Sequence, residues 1–458
     1  MKIWPKTTEV VSGVIRIGGC DLTAIAKEFG TPVFVLDEMD FKSRAENWRS
    51  NLEKHFGANA GTAYYAAKAF ISKEIAKWIE QAGLGLDVCT GGELAVAIEA
   101  KFPGARMELH GNNKSEAEIA SAIDYRVGTI VIDSLQEIER VARIAHHKGV
   151  VQKVYIRLTP GVEAHTHEAI STAHEDVKFG FSIASGAAWE AVLAASKHES
   201  LVITGFHAHI GSQIFASDAF KTSASRLIEF LAKYKKEFGV ELPELNLGGG
   251  YGIAYVESDD PISASDVLTQ LASAVIETCG IHKISVPKIS IEPGRAIVGP
   301  SMVTVYEVGT TKEVTLEDGS TRLYVSVDGG MSDNTRTALY DAEYSVALAN
   351  RISNAEKRRA RIVGKHCETG DIVIKDVQLN SDIAPGDLLA TPATGAYGRS
   401  MASNYNHMVR PPVICVSNQT ARTLIRRETF ADLLALEVEE PARKVSNESS
   451  VDLSERQQ

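Results

Sequence analysis

The sequence contains no long apolar run and no paired cysteine motif. No stretch of its 458 residues approaches the length that crosses a membrane, and the opening MKIWPK contains no apolar signal core. The five cysteines are odd in number and form no C-x-x-C pair, which is typical of a reducing compartment and not of a disulfide framework. A net charge of −11 argues against nucleic acid or an anionic membrane as the main partner. We therefore expect a cytoplasmic protein that acts on small molecules.

The first large part of the chain alternates short apolar runs with helical patterns, from about residue 62 to about residue 295. Three of the helices begin with the S/T-x-x-E signature of a capping box, at Thr90/Glu93, Ser115/Glu118 and Ser134/Glu137. The number and spacing of the units favour a (β/α)₈ barrel, although an open doubly wound sheet would give a similar pattern. The eight predicted strands are 63–67, 85–88, 106–110, 129–133, 153–159, 201–210, 244–247 and 288–291.

After about residue 300 the pattern changes to strands separated by turn residues, which predicts a second, β-rich domain. Its predicted strands are 302–308, 322–327, 361–364, 371–374, 387–391, 413–416 and 421–426. We expect an N-terminal segment at 1–35 that packs with the β-rich domain, a barrel at 36–298, the β-rich domain at 299–440 and a loose polar tail at 441–458.

Polar residues follow the predicted barrel strands, where the chemistry of such barrels is located. A lysine that emerges from an apolar strand is costly to bury unless a partner or a covalent bond uses it, and a Schiff base is one such use. Three consecutive glycines let backbone N–H groups approach a phosphate, although a tight turn would also explain them. The residues at the strand ends are Lys68, Asp87, Arg157, His207, His209, the glycines 248–250, and Glu292 with Arg295.

A lysine, a phosphate cradle, a histidine that covers an aromatic ring and a buried carboxylate together suggest pyridoxal 5′-phosphate. Glu292 would face the pyridine nitrogen and keep it protonated, whereas the structural alternative for it is a salt bridge to Arg295. The pairs His207/His209 and His165/His167 could each begin a metal site. Because no carboxylate or thiolate stands at a ligand spacing beside them, we predict no metal site.

At this point the motifs resemble those of the bacterial diaminopimelate decarboxylases, over nearly the whole chain. The barrel motifs are YAAKAF (65–70), GLDVCTGGEL (85–94), HGNNKS (110–115), HIGSQ (209–213), GGGYG (248–252) and EPGR (292–295). Those of the second domain are DGGMSDN (328–334), Arg336, Tyr340, HCETGD (366–371), TGAY (394–397) and NYN (404–406). EAHTH (163–167) and HEDVKFG (174–180) resemble the longer, actinobacterial type.

The resemblance implies an alanine-racemase-like barrel with a β-rich domain, and decarboxylation of meso-2,6-diaminopimelate to L-lysine, the last step of lysine biosynthesis. Lys68 would hold the cofactor covalently, with Asp87 nearby, His209 on the ring and Glu292 at its nitrogen. The phosphate would be bound by Ser212, Gly249, Gly250, Gly294, Arg295 and Tyr397, and the substrate by Arg295, Arg336, Tyr340, Glu368 and Tyr397. Cys367 would be the acid that protonates the product, and it would reach the site with Glu368 from the partner in a homodimer.

Two other functions remain open on the residues alone. An ornithine or arginine decarboxylase would share the lysine, histidine and glycine motifs, but it would lack an arginine for a distal carboxylate, the role that we assign to Arg336. A non-catalytic regulator on the same scaffold would be expected to have lost Lys68 or Cys367. An alanine racemase fits less well, because it needs a tyrosine base where this chain has Cys367.

Overall fold

The computed structural model describes residues 2–162 and 178–440. The pair His165/His167, most of the two actinobacterial-type motifs and the tail at 441–458 lie outside the described residues. In the two described ranges, no helix is both long enough and apolar enough to cross a bilayer.

The N-terminal segment forms a small antiparallel sheet and then joins the sheet of the C-terminal domain. Its elements are β1 (Glu9–Val11), β2 (Val14–Ile17), β3 (Cys20–Asp21), α1 (Leu22–Phe29) and β4 (Val33–Asp37). Strand β4 is buried throughout, and the next helix begins directly at Glu38. The side chain of Asp37 caps that helix by accepting from the backbone N–H of Asp40 at 3.1 Å.

Eight parallel strands then close into a barrel with helices outside. The strands are β5 (Ala60–Ala66), β6 (Gly85–Val88), β7 (Met107–Leu109), β8 (Thr129–Ile132), β9 (Gln152–Thr159), β11 (Leu201–His207), β12 (Glu244–Asn246) and β13 (Lys288–Ile291), and β10 (Phe181–Ser182) pairs with the end of β9. The helices are α2 (Glu38–Phe56), α3 (Lys73–Gln81), α4 (Gly91–Glu99), α5 (Glu116–Asp124), α6 (Leu135–His147), α7 (Ala187–Ala195), α8 (Asp218–Phe238), α9 (Ala264–His282) and α10 (Arg295–Val298). The barrel closes where β13 pairs with β5, Ile291 opposite Ala63.

The predicted fold class and all eight predicted barrel strands are confirmed, and the open doubly wound sheet is excluded by the closure. The larger differences are at the first strand, which begins at Ala60 and not at residue 63, and at the sixth, which ends at His207 and not at residue 210. The neighbouring strand β12 ends at Asn246. The ladder between the two strands therefore stops at the hydrogen bond from the N–H of Ala208 to the carbonyl of Asn246.

The three predicted capping boxes differ in detail. Ser115 and Glu118 form the complete reciprocal box. At the other two helices the threonine or serine caps as predicted, but the glutamate reaches one residue further back. Glu93 accepts from the N–H of Cys89 at 2.7 Å, and Glu137 accepts from the N–H of Asp133 at 2.7 Å. These two glutamates therefore fasten the strand ends of β6 and β8 to the helices that follow.

The C-terminal domain is a second sheet, in the order β18-β17-β15-β14-β4-β20-β21. Its elements are β14 (Met302–Thr315), β15 (Thr321–Val327), α11 (Arg336–Tyr340), β16 (Ala347–Leu348), β17 (Lys357–Val363), β18 (Ile372–Asn380), β19 (Leu388–Thr391), β20 (Val413–Ser417), β21 (Thr420–Ile425) and α12 (Phe430–Leu434). Strand β4 lies between β14 and β20, so the N-terminal segment completes this sheet. A separate core cluster that includes Ile17, Val35 and Val303 buries the contact.

Several strands of this domain are longer than their sequence patterns predict. Strand β14 continues to Thr315 because it pairs with β15 from Val308 to Thr315. From Gly309 onward its side chains are exposed or half-buried and mostly polar. Strand β18 similarly continues to Asn380 opposite β17. Exposed polar strands give no alternating apolar signal, so only their buried halves are recognisable in the sequence.

Candidate active site

A cavity of about 490 Å³ lies where the carboxyl ends of the barrel strands meet the β-rich domain. The barrel contributes a lysine, a histidine, a serine, a carboxylate, an arginine and glycines, and the β-rich domain contributes a second arginine and two tyrosines. The predicted site residues that line it are Lys68, His209, Ser212, Gly250, Glu292, Gly294, Arg295, Arg336, Tyr340 and Tyr397.

Lys68 lies in a single 3₁₀ turn, Ala67–Ala69, directly after β5. The turn is fixed by Tyr65, whose hydroxyl donates to the carbonyl of Phe70 at 2.6 Å. Burial opposes the charge on the amine, but Tyr397, Asp87 and Glu292 outweigh it and raise the pKa of Lys68. The amine therefore faces the cavity from a rigid position in a region of negative potential.

His209 follows β11 and is a neutral imidazole. Burial, reinforced by the positive charges of Lys68 and Arg157, lowers its pKa well below the usual value. Its Nδ1 accepts a hydrogen bond from the backbone N–H of Gly249 at 3.2 Å. The ring proton is therefore on Nε2, and the ring is held in one orientation at the wall of the cavity.

Glu292 follows β13 and is the ionised carboxylate at the base of the cavity. Its Oε1 lies 3.0 Å from His207 Nε2 and 3.3 Å from His110 Nε2. Burial alone would raise the pKa of Glu292, but the two imidazoles reverse the effect and lower it well below its ordinary value. The predicted alternative, a salt bridge between Glu292 and Arg295, is wrong: Arg295 donates to Ser212 Oγ at 2.7 Å and to the hydroxyl of Tyr255.

The glycine-rich turn allows backbone to approach backbone closely. Gly250 has a φ of +105°, and a Cβ there would lie 2.3 Å from the carbonyl oxygen of Gly211. A Cβ on Gly249 would lie 2.2 Å from the carbonyl oxygen of Glu292. Only glycine fits at either position. With Ser212 and Arg295 beside this turn, the corner of the cavity is suited to bind an anion.

Two tyrosines that the sequence did not point to, Tyr255 and Tyr344, hold the arginines of the cavity. The guanidinium of Arg336 lies 4.6 Å from the ring centre of Tyr255 and donates to the hydroxyl of Tyr344 at 2.5 Å. Arg336 is only 6% exposed, and in the two described ranges it forms no salt bridge. A buried guanidinium with phenolic partners but no carboxylate is suited to bind the carboxylate of a ligand.

Cys367 and Glu368 do not line the cavity of the chain that carries them. Both are exposed, on a turn between β17 and β18. The buried His366 anchors this turn to the rest of the domain. Its ring lies 2.8 Å from Ser332 Oγ and 3.2 Å from Asn406 Oδ1. Glu368 accepts from the hydroxyl of Tyr405 at 3.3 Å. The turn thus presents both side chains outward.

The remaining predicted residues lie just outside the cavity. Gly249 contacts His209 through its N–H, as described above. Asp87 is buried in β6, 3.6 Å from His110 Nε2, and burial raises its pKa well above the ordinary value. Arg157 lies 3.7 Å from Asp133 and over the ring of Phe179. These residues support the walls of the site.

Beneath the cavity lie side chains that the sequence did not single out, above all Glu108 and Asn246. The only signal for Asn246 was its place two residues before the glycine run, where its Oδ1 accepts from the N–H of Gly248 at 2.9 Å.

His110, His207 and Glu292 present atoms within 4.8 Å of one another, which is close enough to hold a metal ion. The absence of a metal therefore stays a prediction.

The donor set fits pyridoxal phosphate. An amine, a neutral imidazole and an ionised carboxylate face the cavity, and the glycine turn with Ser212 and Arg295 supplies donors for a phosphate.

Comparison with known proteins agrees with this chemistry. Residues 38–299 match the family model described as pyridoxal-dependent decarboxylase, pyridoxal binding domain. The chain is 52% identical over 441 residues to a diaminopimelate decarboxylase of Mycobacterium tuberculosis, covering 95% of this chain and 98% of that protein. It is 47% identical over 437 residues to that of Corynebacterium efficiens, covering 95% and 94%. The fold matches the crystal structure of diaminopimelate decarboxylase from M. jannaschii in complex with L-lysine, with a TM-score of 0.87, 32% identity, and coverage of 95% and 99%.

Proposed function

The chain belongs to the diaminopimelate decarboxylases, and on that premise we propose that it removes one carboxylate from meso-2,6-diaminopimelate to give L-lysine and CO₂, using pyridoxal 5′-phosphate held by Lys68. It is accordingly a carboxy-lyase of lysine biosynthesis. The observation that carries the substrate assignment is Arg336, a buried guanidinium that forms no salt bridge in the described ranges and faces the cavity of Lys68.

The cofactor, when bound, supplies an electron sink for the electron pair that remains when CO₂ leaves. Around it the chain would provide fixed partners. Lys68 would attach it, the ionised Glu292 would keep a proton on the pyridine nitrogen, and the neutral imidazole of His209 would cover one ring face and exclude water. Asp87 would contribute to the cofactor site from beside His110, and Ser212, Gly249, Gly250, Gly294, Arg295 and Tyr397 would hold the phosphate.

The substrate has an amino-acid group at each end, so its distal end needs a receptor for a carboxylate and one for an ammonium. Arg336 would take the distal carboxylate through its planar fork, assisted by Arg295, Tyr340 and Tyr397. An ornithine or arginine decarboxylase would have no use for a buried arginine at this place. This argument favours diaminopimelate over the basic amino acids that lack a second carboxylate.

The distal ammonium and the product proton would be served by a second subunit. Cys367 and Glu368 stand outward on an anchored turn, away from the cavity of their own chain. We propose a homodimer in which Cys367 of the partner subunit protonates the substrate α-carbon, and in which Glu368 of the partner subunit binds the distal ammonium. A free thiol is mostly protonated near neutral pH and can serve as an acid.

The unpaired cysteines support a cytoplasmic location.

The test is a screen for CO₂ release by the full-length protein supplied with pyridoxal phosphate. We expect release from meso-diaminopimelate, with L-lysine as the product, and none above background from ornithine, arginine or lysine. The LL and DD isomers show how strictly the site reads stereochemistry. Faster release from ornithine or arginine would replace the proposed substrate, and no release from any of them would support a non-catalytic protein.

A further inference from the structure

Three carboxylates are buried together beneath the cavity, yet only one of them reaches it. Asp87, Glu108 and Glu292 are each at most 3% exposed, and only Glu292 lines the cavity. Glu108 lies in β7 with its Oε2 3.4 Å from His110 Nε2. Its Oε1 is buried and, in the part of the chain that the structure describes, makes no hydrogen bond.

Asn246 joins two of these carboxylates. Its amide nitrogen donates to Glu292 Oε1 at 2.9 Å and to Glu108 Oε2 at 2.8 Å. Its Oδ1 accepts from the N–H of Gly248, so the amide orientation is fixed and both amide hydrogens are committed. Asn246 is itself fully buried at the end of β12. One side chain therefore ties the glycine turn, Glu108 and Glu292 into one network.

We propose that Asn246 is a positioning residue for Glu292, and that it couples Glu292 to a Glu108 that keeps its proton, so that Glu292 alone is the anion of the bridged pair. The proposal rests on the proposed function, because it concerns the carboxylate that would face the pyridine nitrogen. Neither Asn246 nor Glu108 lines the cavity, so both act through Glu292.

The geometry assigns the charge to Glu292 and the proton to Glu108. Two anions that share one amide in a dry interior repel each other strongly, so one of them stays neutral. Glu292 has the better support, since both His207 and His110 lie within 3.3 Å of it. Glu108 has one imidazole at 3.4 Å, the phenol of Tyr64 beside it, and an Oε1 that accepts no hydrogen bond of ordinary geometry in the described residues. Burial, followed by the charges of Glu292 and Asp87, raises the pKa of Glu108 well above its usual value.

Other titratable groups surround the pair. Those that face Glu292 are Lys68, Asp87, His110, His207, His209 and Tyr251. Those that face Glu108 from the neighbouring strands are Asp87, Tyr64, Tyr155 and Glu244. All three imidazoles face Glu292, and only His110 also lies beside Glu108. The negative charge is therefore better stabilised on Glu292.

The experiment follows the pyridine nitrogen directly. Full-length protein is loaded with pyridoxal phosphate labelled with ¹⁵N in the ring, and the ¹⁵N chemical shift is recorded against pH. Asn246→Leu keeps the approximate shape but removes both donors, so the shift should move toward the unprotonated value. The kcat for diaminopimelate should fall roughly 10- to 100-fold, while KM should stay within about threefold of the wild-type value. The reason is that the substitution disturbs Glu292 and leaves the proposed substrate-binding residues unchanged.

Glu108→Gln tests the proton on Glu108. Glutamine is the neutral counterpart of a protonated glutamate, so the ¹⁵N shift and its pH profile should equal those of the wild type. A changed profile in Glu108→Gln would mean that Glu108 is an anion, and an unchanged profile in Asn246→Leu would remove the positioning role; either result overturns the proposal. If Asn246→Leu does not fold, Asn246→Ser, which keeps one donor, should give a shift between the wild-type and unprotonated values.

Two controls separate this inference from the proposed function. Asn47→Asp, on the exposed face of α2, should leave the ¹⁵N profile unchanged. A wild-type protein that binds no pyridoxal phosphate contradicts the proposed function, whereas normal wild-type binding with wild-type behaviour of Asn246→Leu contradicts only the role of Asn246.

Discussion

The backbone N–H of Tyr397 donates to the carbonyl oxygen of Ala69 at 2.9 Å, so the β-rich domain is fastened to the turn that carries Lys68. Ser400 Oγ donates to the same carbonyl at 2.9 Å. The ring of Tyr397 also lies 4.7 Å from the guanidinium of Arg295, on the barrel side of the cavity. The cavity is therefore a joint product of both domains, and neither domain contains a complete site.

The first prediction concerns Lys68. Because Lys68 is proposed to attach the cofactor covalently, Lys68→Ala should abolish the visible absorbance of the purified protein, with loss of decarboxylation. The control is Lys73→Ala, an exposed lysine at the start of the next helix, which should keep the absorbance. Retention of the absorbance band in Lys68→Ala would reject the attachment site.

The second prediction concerns the shared site. Lys68→Ala and Cys367→Ala are each expected to be inactive as pure dimers. In a mixed dimer one site combines both defects and the other is intact, so random exchange of equal amounts should restore about one quarter of the wild-type activity. Native mass spectrometry verifies that mixed dimers form. Verified mixed dimers without activity would show that Cys367 does not act across the interface.

The barrel and its family could be predicted from sequence because local patterns carry them. Apolar runs at regular spacing gave all eight barrel strands, and the expected decarboxylase family is confirmed by the relatives. Strand-end positions led to Lys68, His209, Gly250, Glu292 and Arg295, whereas the family resemblance led to Arg336, Tyr340 and Tyr397. The second half of β14 gave no such signal, since it is held by backbone pairing with β15 that an exposed, polar sequence does not reveal.

The residues that were missed either hold other side chains without lining the site, or line it without belonging to a motif. Asn246 and Glu108 are 138 residues apart and meet only because the barrel closes. Tyr255 and Tyr344 come together from different domains, with ring centres 5.2 Å apart. No local period or spacing encodes such contacts, which is why the sequence placed Arg295 and Arg336 but not the tyrosines that fix them.

The third prediction concerns Arg336. Arg336→Lys retains the charge but replaces a planar fork with a single ammonium, so kcat/KM for diaminopimelate should fall roughly 10- to 100-fold. Arg359→Lys, on the exposed side of the same domain, is the control and should be neutral. Unchanged kcat/KM in Arg336→Lys would remove Arg336 from the substrate pocket.

The fourth prediction concerns Tyr344, which accepts a hydrogen bond from Arg336. Tyr344→Phe keeps the ring but leaves the guanidinium without this partner, so it should be less well oriented toward a carboxylate. A hydrogen bond to a charged group is worth about 1.5 to 3 kcal/mol, so we expect KM to rise roughly tenfold or more with little change in kcat. Tyr324→Phe, on β15, is the matched control. An equal KM in Tyr344→Phe and the wild type would contradict the role.

The last prediction concerns stability and pH through Asp333. Its carboxylate is buried, accepts from the N–H of Gly330 at 2.8 Å and from the hydroxyl of Tyr306, and lies near Asp328 and Asp371. Burial, only partly offset by these hydrogen bonds, raises its pKa from 3.8 to about 7. Since the folded state then holds the proton more tightly than the unfolded state, this stabilisation is complete below pH 4 and is lost as the pH rises to about 7.

Asp333→Asn removes the titrating group, so it should flatten this part of the pH dependence. The wild type should lose about 2 to 4 kcal/mol more unfolding free energy than the variant between about pH 4 and pH 7. Urea unfolding of the full-length protein at several pH values measures the difference. Asp124→Asn, with an exposed carboxylate on α5, should follow the wild-type curve. A parallel decline in Asp333→Asn and the wild type would show that Asp333 is already ionised in the folded protein at low pH.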